Sequence, residues 1–122
     1  MKSTKNKETI KHQIIATRDV RKYLYDLIQI LYEKDYFGFK ENAKEYVKDL
    51  FADIEQNLPN KIRKPAPEHF DIYGYNMYYA SFKKNKQTTW YVFFTIHYDY
   101  DADTQSFLIR YVSNNHVIAK YL

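Results

Sequence analysis

The chain has 122 residues, 45% of them apolar and 28% charged, which is one domain's length with enough apolar material for a core without staples. It has no cysteine, only two glycines (Gly38 and Gly74) and no run of about 18 apolar residues. These absences exclude disulfides, thiolate chemistry, cysteine-bound zinc and a membrane span, and they argue against a glycine-rich phosphate loop.

The net charge of +4 is unevenly spread. Residues 1–22 carry seven basic and two acidic side chains, residues 23–58 four and eight, and residues 59–122 eight and five. Basic flanks around an acidic middle suit a polyanionic partner, and equally suit plain solubility.

Residues 1–9 are polar and predict a frayed tail of a single domain. No signal-peptide core is visible between Met1 and Lys11, which predicts a cytoplasmic protein. Ile10 to Ala16 reads as a short strand, and Thr17 stands where a helix N-cap belongs. Val20, Leu24, Leu27, Ile28 and Leu31 then recur at helical spacing, predicting a helix over 18–34. The DYFGF segment, Asp35 to Phe39, breaks the pattern. A second helix is predicted over 40–58, with Ala43, Val47, Leu50, Phe51, Ile54 and Leu58 as its stripe and Pro59 at its exit. So short a break predicts an antiparallel helical hairpin.

Residues 59–74 hold all three prolines and read as a long connection. Strand-like runs follow at 75–82, 88–98 and 105–113, separated by the polar turns KKNK and DYDAD. In the middle run Trp90, Val92, Phe94 and Ile96 alternate with Tyr91, Phe93, Thr95 and His97. Apolar residues on both parities predict a central strand covered on both faces. Val117 to Leu122 is a last apolar piece, suited to an edge or to a cover. The fold class predicted is α+β: a short N-terminal strand, a two-helix antiparallel hairpin, then an antiparallel sheet of three to four strands.

Three stretches carry a family likeness: QIIATRDVRKYLYDLIQIL, KENAKEYVKDLFADIEQNLP, and TWYVFFTIHYD followed by SFLIRYVSNNH. In this order they resemble the RelE/ParE family of bacterial toxins over nearly the whole chain. The resemblance implies the toxin component of a toxin–antitoxin pair, silenced by a cognate antitoxin protein. RelE-like members are similar to ribosome-dependent mRNA endoribonucleases, and ParE-like members to gyrase-directed inhibitors without established catalytic residues. The alternative is therefore a non-catalytic protein-binding module of the same fold. A third reading is an unrelated α+β protein whose tyrosines line a small-molecule pocket.

RNA cleavage by 2′-hydroxyl attack needs a base, an acid and cations around the phosphorane, and no metal or cofactor. The resemblance places these roles on Arg110, His116 and Tyr121, with Lys83, Lys84 and Lys86 holding phosphate. Lys61, Arg63 and Lys64 form a second basic cluster suited to messenger RNA or the ribosome. From the residues alone, each has a plainer reading. Arg110 interrupts FLIRYV and either clamps phosphate or sits on an open strand face. His116 in NNH either moves protons or caps a turn. The lysines either track a nucleic-acid backbone, with Tyr78, Tyr79 or Tyr91 for stacking, or protect a strand edge. DYDAD lacks the glycine and distal glutamate of a calcium loop and reads as a turn. The histidines show no zinc spacing.

Overall fold

A computed structural model of the chain describes residues 11–34 and 40–122. The expected tail over 1–9, the start of the first strand at Ile10 and the break at Asp35–Phe39 lie outside those residues.

Strand β1 (Lys11–Ala16) leads directly into helix α1 (Arg18–Glu33). Thr17 Oγ1 accepts the backbone N–H of Val20 at 3.3 Å, satisfying one of the donors a helix start leaves free. Helix α2 (Lys40–Asn57) follows, and Leu58–Asn60 tightens into a 3-10 turn at Pro59. Val20, Leu24 and Leu27 of α1 meet Val47, Leu50 and Ile54 of α2 in the main core. Most of both predicted stripes therefore faces inward, with Ile28, Leu31 and Phe51 partly buried at the margin.

The sheet is β1-β5-β4-β3-β2, with β2 at Lys64–Pro65, β3 at Tyr78–Lys83, β4 at Thr89–Asp99 and β5 at Thr104–Asn114. Two features differ from the expected antiparallel sheet of three to four strands. There are five strands, and β1 runs parallel to β5 while the other neighbours are antiparallel. A parallel partner needs a long crossover, which the helices and the intervening strands supply. Strand β3 also starts later than residue 75, because Asn76 adopts a left-handed φ of 57° that a strand does not accommodate.

The helices cover one face of the sheet through Ala80, Phe82, Trp90, Val92, Phe94, Phe107, Ile109 and Val112. The indole N–H of buried Trp90 donates to Tyr46 Oη of α2 at 2.9 Å, which removes the cost of burying a bare donor. On β5 the inward residues run 107, 109, 112 rather than in strict alternation. The register explains it: Phe93 pairs with Tyr111 and Phe94 with Ile109, so Arg110 is the extra residue of a β-bulge. Arg110 and Tyr111 thereby both lie outside the main core.

The other face is covered as well. A strap of 3-10 helix, Glu68–Tyr73, and the C-terminal turn α3 (Asn115–Ile118) close over it. Phe70, Met77, Phe93 and Ile118 form a second buried cluster there, flanked by Tyr79, Tyr91 and Tyr111. The two-parity pattern of β4 thus corresponds to two covered faces. From Val117–Leu122 it is Ile118 and Tyr121 that cover this face rather than forming an edge strand, and Arg110, one of whose two readings is an open strand position, lies half-buried at the border of that cover.

Candidate functional site

The predicted residues fall into three places. The first is a basic edge along β3. Lys64 pairs with Tyr79 in the sheet, Arg63 lies 5.4 Å over the Tyr78 ring, and Lys61 Nζ lies 4.6 Å over the Phe82 ring. At the far end of β3, Lys83, Lys84 and Lys86 enter the turn, with Lys84 Nζ 5.3 Å over the Tyr46 ring. Among the described residues none of these six cations makes an ion pair. The sequence names both clusters; the β2–β3 pairing makes them one edge.

The same corner holds His116. Its Nε2 lies 3.0 Å from Thr88 Oγ1, while Asn115 Oδ1 accepts from Thr89 N and Asn115 Nδ2 donates to Gln87 O. Asn85 closes the turn by accepting from Gln87 N and Thr88 N. The C-terminal turn is therefore fastened to the β3–β4 hairpin, and His116 sits against the turn that bears Lys84 and Lys86.

Arg110 is not there. The four residues from Arg110 to Asn114 span about 13 Å of strand. Arg110 is half-buried, and its Nε donates to Thr95 Oγ1 at 3.2 Å. Thr95 Oγ1 also lies 3.0 Å from His97 Nε2, so His97 belongs to this network. A Cβ built on Gly74 would fall 2.7 Å from Arg110 Cδ, so the strap closes over the arginine because residue 74 has no side chain. Tyr121, the third predicted catalytic residue, is stacked on His69 at 3.6 Å and 7°. The structure does not bring Arg110, His116 and Tyr121 together.

Around Arg110 it gathers residues that the sequence reading passed over. Tyr73 and Tyr111 stack at 3.8 Å and 5°, and they border a pocket of about 140 Å³ with Tyr23, Arg110, Asp19 and Val112. Burial, and secondarily the neighbouring Tyr111, pushes the Tyr23 phenol up to about 12. Burial raises Tyr73 too, with the adjacent Tyr111 hydroxyl as a secondary cause. The spacing 107, 109, 112 was the available signal for the bulge.

The suggested stacking tyrosines divide. Tyr79 stacks on Phe93 at 5.4 Å and packs with Tyr91 in the second core, whereas Tyr78 stays partly exposed under Arg63. DYDAD is the β4–β5 turn, in which Asp99 Oδ1 accepts from Asp101 N and Ala102 N and Asp103 takes φ 53°.

A third surface lies on the helices. Leu24, Ile28, Val47 and Phe51 floor an open apolar groove of about 290 Å³ between α1 and α2. Arg21, Lys44 and Lys48 stand on its rim, and among the described residues no acidic side chain lines it.

Comparison of the chain with protein-family models, with curated proteins and with solved structures returns no match. No helix among the described residues is long and apolar enough to cross a membrane.

Proposed function

We propose that this chain is the toxin component of a toxin–antitoxin-type pair that engages RNA along the β3 edge. The observation that carries this reading is the basic edge: Lys61, Arg63 and Lys64, on and just before β2, and Lys83, Lys84 and Lys86, at the end of β3 and in the turn after it, make no ion pair among the described residues. Unpaired cations in a row match a phosphate backbone, whose binding is dominated by released counterions. Tyr78, under Arg63, offers a face on which a base can stack. His116, held at the same corner by Thr88, is the group best placed to move a proton near a bound phosphate.

Expression in a bacterial host, with growth and mapped RNA ends as readouts, tests this reading. Growth arrest with new RNA ends, both lost on replacing Lys83, Lys84 and Lys86 by glutamine, is the expected result. Normal growth with intact RNA, from folded protein, overturns it.

A second reading, the non-catalytic protein-binding module, is favoured by two observations. Arg110, His116 and Tyr121 stand apart, and the α1–α2 groove joins an apolar floor to a cationic rim. Such a groove suits an acidic amphipathic helix of a partner such as an antitoxin. Growth arrest without RNA cleavage, relieved by a partner whose binding shifts Leu24 and Val47 resonances, selects this reading.

A further inference from the structure

We infer that the pocket between α1, the strap and the β5 bulge is a binding site for a small ring-bearing monocarboxylate. This does not rest on the toxin reading. The geometry has three parts. First, the volume of about 140 Å³ is close to that of an engineered cavity of roughly 150 Å³ that takes benzene, so one six-membered ring fits. Second, the walls are largely aromatic and aliphatic: Tyr73 and Tyr111 are stacked as one side, with Tyr23 and Val112 beside them. Third, one cation lines the space. Arg110 spends its Nε on Thr95, and among the described residues no carboxylate lies within ion-pair distance of it. A guanidinium anchored through Nε keeps its two terminal nitrogens for a planar acceptor, and a carboxylate matches that fork.

Asp19 sets the charge limit. It lines the same pocket from the first turn of α1 and repels a second negative charge. A dianion such as inorganic phosphate is therefore disfavoured against a singly charged carboxylate. The arrangement is also held in place: Gly74 lets the strap lie against the Arg110 stem, and the Tyr73–Tyr111 stack fixes the wall.

Titration of the full-length protein with benzoate, benzamide and inorganic phosphate, followed by NMR at the Arg110 Nε–H and at the Tyr73 and Tyr111 rings, tests the inference. Benzoate should give saturable shifts at these groups with millimolar or tighter affinity, as expected for nine heavy atoms. Benzamide, of the same shape without the charge, should bind about tenfold more weakly, and Arg110→Gln should lose a similar factor for benzoate alone. Equal binding of benzoate and benzamide overturns the inference on the unaltered protein, whether or not the variant folds. Phosphate binding at least as tightly as benzoate, or no saturable shift at these groups up to about 20 mM, overturns it as well.

Discussion

The rings of Tyr73 and Tyr111 lie 3.8 Å apart and within 5° of parallel, joining the strap to the bulged part of β5. At the strap's other end His69 stacks on Tyr121 in the same manner, and between the two stacks Phe70 is buried against Phe93. A segment with little backbone pairing to the sheet is thus held by rings. A double-mutant cycle on Tyr73→Leu and Tyr111→Leu should return a coupling of about 1 kcal/mol in urea unfolding. Additive losses would show that the stack adds nothing beyond burial.

Phe70 anchors the second core. Phe70→Ala should destabilise the protein by about 3–5 kcal/mol, the cost of emptying a large buried ring from the second core. The equilibrium unfolding midpoint measures it. Hydrogen exchange should quicken first in the strap and the C-terminal turn, while the α1–α2 side stays protected.

The helix start gives a smaller and cleaner effect. Thr17→Ala removes the side-chain acceptor for Val20 N–H and should cost about 1 kcal/mol. Thr17→Asn, which keeps an acceptor, should restore most of it.

Tyr23 makes stability depend on alkaline pH. Its phenol ionises near 10 in the unfolded chain and is pushed up to about 12 in the fold, so the folded state retains a proton that the unfolded state releases. Stability from this group is complete below pH 10 and is lost as pH rises from about 10 to 12. Because Tyr23 is only partly buried, the loss should be no more than about 2 kcal/mol after solvent screening. Urea midpoints at pH 9 and 11.5 should differ less in Tyr23→Phe than in the parent. An equal difference in both would place the effect elsewhere.

For the basic edge, the dependence of single-stranded RNA affinity on salt counts the phosphates engaged, with a slope of about 0.7 per contact. Replacing Lys61, Arg63 and Lys64 by glutamine should reduce that slope by about 2 and weaken all sequences alike. An unchanged slope would leave these cations as guards of the β3 edge.

Much of the architecture is legible in the residues themselves. The stripes of α1 and α2, the Thr17 cap and the double-sided pattern of β4 are local periodicities, and each corresponds to an observed element because burial selects the same spacing that hydrophobicity displays. The basic clusters at 61–64 and 83–86 can likewise be named from composition. Their union into one edge depends on which strands pair, and sequence neighbours do not encode that.

Tertiary structure alone decided the surroundings of Arg110. Its position in FLIRYV is compatible with an exposed strand, a clamp or a bulge, because period-two patterning says which residues face inward and not what covers the reverse side. The strap settles the matter: a long proline-bearing segment folds back, Gly74 lets it approach, and tyrosines from α1, the strap and β5 meet around one guanidinium. Contacts between residues so distant in the chain arise from packing the whole sheet, and no local pattern carries them.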